Sequence, residues 1–416
     1  MPSTESVNGI ELSTDFTSVR EDLSQLLSTV RRHLHKNPEI GGEEYETYRF
    51  IRELLEMHGL DVTGPLAGTG LYVDIEGAHT GPTVGYRADI DALPIRDEKN
   101  VEYCSSVEDR GHLCGHDAHT SIAVGVALLL HGLRDMIHGT VRVFFQPNEE
   151  GIPSGAPQMI RDGVLDGVSA VYASHVDPTL DTGRFGLVTG AITASGDQFR
   201  VRVEGPATGH SARPHQTRDT IWIATQIMNS LYQIVGRITD ARNAAVISIC
   251  RIHAGEAYNV IPQMTEFGGT YRCTEVQDRE LIKDKIGRLA CDIGEAYGAT
   301  VDVKFEEGAP PVINNGELVG VLRETLVEAL GEQAIFDIPR PSMGAEDFAH
   351  YLNHVPGMLI RVGTCNGPET AYPLHDSKFD IDESAMPLAS RVVAQTLIRY
   401  LRHHSGERSG GNRQDH

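Results

Sequence analysis

The chain has 416 residues, 58 acidic and 36 basic, a formal charge of 36 − 58 = −22. With 40% hydrophobic and 23% charged residues it reads as a folded globular chain with volume for two or three domains. The negative field argues against nucleic acid and anionic membranes as partners. A small anionic substrate stays admissible, because a local cationic site overrides a global field.

The first sixteen residues lack the basic and apolar regions of a secretory leader, and no apolar run approaches the ~20 residues that span a bilayer. The longest, Ile122 to Leu130, sits inside a helical pattern. Six scattered cysteines (Cys104, Cys114, Cys250, Cys273, Cys291, Cys365) do not form a disulfide framework, so a reducing cytoplasm is the expected location.

Apolar residues at helical spacing predict a helix from Asp15 to Lys36, stopped by Asn37-Pro38, and a second from Glu43 to His58. Strands are expected at Leu71–Glu76, Thr83–Ala88, Thr140–Gln146 and Ala170–His175, with a buried helix from Thr120 to Leu133. This alternation predicts an α/β domain with a mixed, mainly parallel sheet flanked by helices, its first part spanning residues 1–190. From 191 to 309 the pattern changes. Gln198–Glu204, Ala245–His253, Thr265–Arg272 and Thr300–Glu306 read as strands, Thr220–Val235 and Arg279–Tyr297 as helices. The order β-α-β-β-α-β predicts an inserted ferredoxin-like α+β domain. Residues 310–404 return to the first domain and end in a helix over Ser384–His403, and 405–416 read as a disordered tail.

Four motifs carry metal chemistry. Cys114-Gly115-His116-Asp117-Ala118-His119 offers thiolate and imidazole, with Gly115 letting the backbone turn so that both face one point. Gln146-Pro147-Asn148-Glu149-Glu150-Gly151 follows a strand and places two carboxylates side by side, one able to ligate and the other to move a proton. His175 and His375 complete the set. All fall at predicted strand-to-loop junctions of one domain. Each motif alone is equally a capped helix, a solvated loop or a structural histidine; together they supply ligands enough for two divalent ions. The inserted domain adds Gly209-His210-Ser211-Ala212-Arg213-Pro214-His215, with Asn259 and Arg272 at strand ends, where an anion could bind.

These motifs, in this order, resemble the amidohydrolase branch of the aminoacylase and carboxypeptidase metallopeptidase family, which includes hippurate hydrolases and auxin-amino-acid conjugate hydrolases. The likeness begins at Arg31-Arg32-His33-Leu34-His35-Lys36-Asn37-Pro38-Glu39 and ends at Leu374-His375-Asp376-Ser377-Lys378-Phe379. It includes Arg87-Ala88-Asp89-Ile90-Asp91-Ala92-Leu93-Pro94-Ile95, Asn259-Val260-Ile261-Pro262 and Met343-Gly344-Ala345-Glu346-Asp347-Phe348. The resemblance implies two divalent metal ions per subunit (manganese or zinc, with cobalt or nickel as options) held by Cys114, His116, Glu150, His175 and His375. It implies Glu149 as general base, and His210 as a catalytic residue reaching the partner's site in a homodimer. Asn259, Arg272 and Gly344 become substrate-binding positions. The implied activity is hydrolysis of a small-molecule amide, an N-acyl amino acid of hippurate-like or aromatic acyl type. Alternatives are hydrolysis of another C–N bond, such as an aromatic amine, and non-catalytic binding of acyl amino acids. Many relatives carry Pro-Ala-Glu-Glu where this chain has Pro147-Asn148-Glu149-Glu150.

Overall fold

The computed structural model describes residues 20–405. The expected helix start at Asp15 and nearly all of the expected tail lie outside the described residues. The chain divides into two compact units. The first comprises residues up to Thr189, Asn314–Ile338 and Tyr351 onward; the second comprises Gly190–Ile313 and Pro339–His350.

In the first unit, α1 (Arg20–Lys36) and α2 (Tyr45–Met57) precede β1 (Val62–Leu66), β2 (Gly70–Glu76) and β3 (His79–Asp89). Then follow α3 (His116–Gly132), β4 (His138–Gln146), β5 (Val168–Asp181) and β6 (Phe185–Leu187). Later segments add the strands Ile335–Asp337 and Gly357–Cys365 and the helices Gly316–Leu330 and Ala385–His404. The eight-stranded sheet runs β1-β2-β4-β3-β5, then Gly357–Cys365, β6 and Ile335–Asp337. β3 pairs parallel with both β4 and β5, and Gly357–Cys365 parallel with β5, whereas β1–β2 and β2–β4 are antiparallel. The central strands are buried on both faces, so they carry apolar runs such as Val143-Phe144-Phe145 rather than strict alternation.

The register brings the future site together. Asp89 lies opposite Gln146, and Arg87 opposite Ala173, so β3 and β4 end at one level, beside His175 of β5. Ligands of open parallel sheets bind outside such strand ends. α3 is buried from His116 to Leu130 on every side, which its composition (Ile122-Ala123-Val124-Gly125-Val126-Ala127-Leu128-Leu129-Leu130) permits.

Three expectations need correction. The buried helix begins at His116, not Thr120, because Gly115 adopts a left-handed φ of 88° and its carbonyl accepts the N–H groups of Ala118 and His119. The motif expected at a loop is therefore the first turn of α3. His175 lies inside β5, which continues to Asp181, and His375 sits in an irregular segment beyond the strand ending at Cys365. Residues 339–350, placed by sequence in the first domain, belong to the second unit. There Ser342 N donates to Ile192 O, Ala194 N to Gly344 O, and Arg272 Nη1 to Met343 O at 3.4 Å.

The second unit has a four-stranded antiparallel sheet in the order Ala245–Ala254, Met264–Cys273, Asp197–Glu204, Thr300–Glu306. Asp197–Glu204 alternates, with Phe199, Val201 and Val203 buried and Gln198, Arg200 and Arg202 exposed. Helices Thr220–Tyr232 and Val276–Ala296 close one core with Ile223, Ile227, Leu231, Ile282 and Ile286. The Asp219 carboxylate caps the first helix by accepting from Trp222 N at 3.0 Å. Order and connectivity are those of the ferredoxin-like unit.

Candidate metal centre

The ligand-type atoms fall into overlapping groups, in each of which they lie within 4.8 Å of one another: Cys114, His116 and His175; Cys114, Glu150 and His375; His116, Glu149 and Glu150. Cys114, His116 and Glu150 each belong to two of these groups, and His116 also to a third with Asp89 and His119. Gly115 makes this possible, since a Cβ there would collide with Val176 and its left-handed φ lets successive side chains converge.

The imidazoles are oriented by what their other nitrogens do. His116 Nδ1 is 3.1 Å from Asp91 Oδ1, which leaves Nε2 facing the cluster. His175 Nδ1 donates to Val176 O at 2.8 Å, leaving Nε2 3.6 Å from Cys114 Sγ. His375 Nε2 is 3.3 Å from Glu150 Oε1. Its backbone has a φ of 69°, strained for a non-glycine residue, and is held by His375 N donating to Leu113 O at 2.8 Å. His119 differs. Its Nε2 accepts from Val176 N at 2.9 Å, so Nδ1 carries the proton and donates to Asp89 Oδ1 at 2.6 Å. Both nitrogens are committed, and His119 braces β5 beside His175 rather than offering a lone pair.

Among the described residues, His116 Nε2 and the buried Glu150 Oε1 make no hydrogen bond. Burial pushes the Cys114 thiol up to about 12. A thiol there becomes a thiolate only beside a cation. Burial, reinforced by His119 and Arg361, holds His175 well below its ordinary value, so the ring is in its neutral, ligating form. At His116 burial acts the other way from its neighbours, yet Asp89 and Cys114 prevail and raise it well above its ordinary value. A cluster that draws a proton onto a buried imidazole is one that a divalent cation would satisfy. The donor set fits such an ion, and Asp91 and Val176 supply the outer contacts that ligating histidines require.

Structure thus brings together the five sequence-predicted ligands and Glu149. His210, Asn259, Arg272 and Gly344 lie in the second unit. His210 and Asn259 are exposed neighbours on a small two-stranded ladder in which His210 pairs with Val260 and Ser211 N donates to Asn259 O. Arg272 and Gly344 adjoin through the Met343 carbonyl. Sequence reasoning assigned no role to Asp89, Asp91 or His119. The signal in the chain was Arg87-x-Asp89-x-Asp91, charges spaced by two at the end of an apolar strand, where a solvated loop would need no such run.

Comparison with known proteins follows the same lines. A family model described as peptidase family M20/M25/M40 matches residues 85–399. The N-acetyl-L-cysteine deacetylase of Bacillus subtilis is 36% identical over 397 residues, 95% of this chain and 91% of that protein. Thermostable carboxypeptidase 2 of Saccharolobus solfataricus is 37% identical over 384 residues, 91% of this chain and 96% of that one. The solved YXEP protein of Bacillus subtilis, described as a dinuclear metal binding peptidase of the M20 family, superposes with a TM-score of 0.81 at 34% identity. It covers 92% of this chain, which covers 99% of it.

Proposed function

The chain belongs to peptidase family M20/M25/M40, a family of hydrolases that use divalent metal, and on that premise we propose that it hydrolyses small-molecule amides, with an N-acyl amino acid as substrate. The observation that carries the reading is the adjacent pair Glu149 and Glu150, both grouped with His116, while Glu150 also faces Cys114 and His375. On this reading Glu150 is the ligand and Glu149 stays beside the reacting centre to move the proton. Two metal ions per subunit, manganese or zinc, are proposed from the overlapping ligand groups.

When bound, the metal polarises the amide carbonyl and lowers the pKa of water at the site. Cys114, His116, Glu150, His175 and His375 would hold it. Glu149 takes the proton of the attacking water and returns it to the leaving nitrogen. His210 is proposed to donate to the developing oxyanion of a partner subunit's substrate, in a homodimer, and Asn259, Arg272 and Gly344 to receive the substrate's carboxylate side. A cytoplasmic location is proposed from the scattered placement of the six cysteines, none of which is paired with another.

The test is a screen of metal-reconstituted protein with hippurate, N-acetyl amino acids, indole conjugates and aromatic amines. Turnover of the acyl amino acids is expected. Glu149→Gln should lower turnover about 10²- to 10⁴-fold with metal content unchanged. A chain without stoichiometric metal, or one whose turnover ignores Glu149→Gln, overturns the mechanism. Sedimentation of His210→Ala should still give a dimer, with kcat reduced; a fully active monomer overturns the proposed subunit role.

A further inference from the structure

The segment between α1 and α2 touches the loop that bears the carboxylate pair. Glu44 is fully buried. Its Oε1 accepts from Asn148 N at 2.8 Å and its Oε2 from Thr69 Oγ1 at 2.8 Å. Two residues on, Glu150 N donates to Asp91 Oδ2 at 3.1 Å. The backbone on either side of Glu149 is therefore held by two different buried carboxylates.

Asn148 itself has a φ of 54°, a left-handed conformation that asparagine tolerates better than most residues. Its Nδ2 donates to Pro153 O at 2.9 Å and its carbonyl accepts from Gly155 N at 2.8 Å, closing the loop on itself. Its side-chain oxygen lies where a Cβ on either Gly41 or Gly151 would stand. The carboxamide is a wedge between those two glycines, one on its own loop and one on the segment carrying Glu44.

We infer that Asn148 and Glu44 are positioning residues that fix the loop of Glu149 and Glu150, so that one carboxylate is presented to metal and the other to water. The inference rests on the functional reading above and extends it to residues that touch neither ligand nor substrate. The wedge acts by shape and the Glu44 contact by accepting an N–H. A glutamine at 44 can still accept from Asn148 N while donating to the Thr69 hydroxyl, so the neutral side chain preserves the hold.

The experiment titrates the full chain, stripped of metal, with Mn²⁺ by calorimetry, and then measures kcat and KM on an N-acetyl amino acid. Asn148→Gly and Glu44→Ala are each expected to weaken Mn²⁺ binding about 10-fold or more and to lower kcat with KM little changed. Melting temperatures should stay near wild type, and Glu44→Gln should restore both readouts. Asn148→Gly keeps the left-handed backbone, so wild-type behaviour there means that the wedge does nothing and overturns the inference. Glu44→Gln as impaired as Glu44→Ala overturns it as well, since charge and not hold would then be at work. Should Glu44→Ala fail to fold, Asn148→Gly and Glu44→Gln decide the matter. A wild-type chain that binds no Mn²⁺ overturns the functional reading itself, whereas tight binding by wild type and variants alike overturns only this inference.

Discussion

Asp91 illustrates how much one buried side chain does at this site. Its Oδ1 faces the His116 ring and its Oδ2 accepts from Glu150 N. Asp91→Asn would keep one acceptor and turn an amide N–H towards the other partner, which is a donor or carries the ring proton. A loss of about 10- to 100-fold in metal affinity is expected, measured by titration with Mn²⁺. The ligands were legible in sequence because thiol, imidazole and carboxylate beside glycine are unusual chemistry for a loop. Asp91, Glu44 and Asn148 were not assigned roles, because their contacts are with residues remote in sequence: Asp91 with His116, and Glu44 with Asn148. No local pattern reports such a pairing.

At the scale of the element, α3 is anchored at its first turn by a buried ion network. Arg31, fully buried on α1, donates to Asp117 at 3.1 Å, Asp380 at 2.5 Å and Glu383 at 3.2 Å. His35 bridges Asp117 at 2.7 Å and Asp97 at 3.2 Å. Lys99 lies 2.9 Å from Asp97. Arg31 and His35, in sequence only members of a motif, thereby tie α1 to the helix that starts at His116. Arg31→Met would strand three carboxylates near one another. A destabilisation of about 3–5 kcal/mol is expected in urea unfolding. Helical spacing found α1, and the apolar run found α3. The true start of α3 escaped because Gly115 and the polar first turn mimic a loop, and their helical state depends on these distant partners.

Across the whole molecule the same network sets the acid limit of stability. At Asp97 burial favours the neutral carboxyl, but hydrogen bonds from His35 and Ser105 N, with Lys99, hold it far below the usual range. At Asp117 and Asp380 burial is likewise outweighed, chiefly by Arg31. Groups depressed in the folded state contribute stability above their unfolded value of 3.8, and that contribution is lost as pH falls towards the folded value. Thermal melts should therefore be flat with respect to these groups at neutral pH and fall steeply below about pH 4, with Asp97→Asn flattening the acid limb. The charge of −22 repels itself at neutral pH, so added salt at constant pH should raise the melting temperature or leave it unchanged. The two-unit organisation was readable from the switch in periodicity near residue 190. The return of 339–350 to the second unit was not, since it depends on single hydrogen bonds to Ile192, Ala194 and Arg272.

The strand Gly357–Cys365 lies inside the sheet between β5 and β6, and His375 follows it, while the other four proposed ligands precede residue 190. During synthesis the ribosome must therefore finish the whole second unit before either the strand that pairs with β5 and β6 or the last proposed ligand exists. Until then β5 presents a bare apolar edge. Completion of the proposed five-ligand set is accordingly a late event in the life of each nascent chain. A fragment ending at residue 313 should be insoluble and should retain no Mn²⁺, which fractionation and metal analysis of the expressed fragment would reveal.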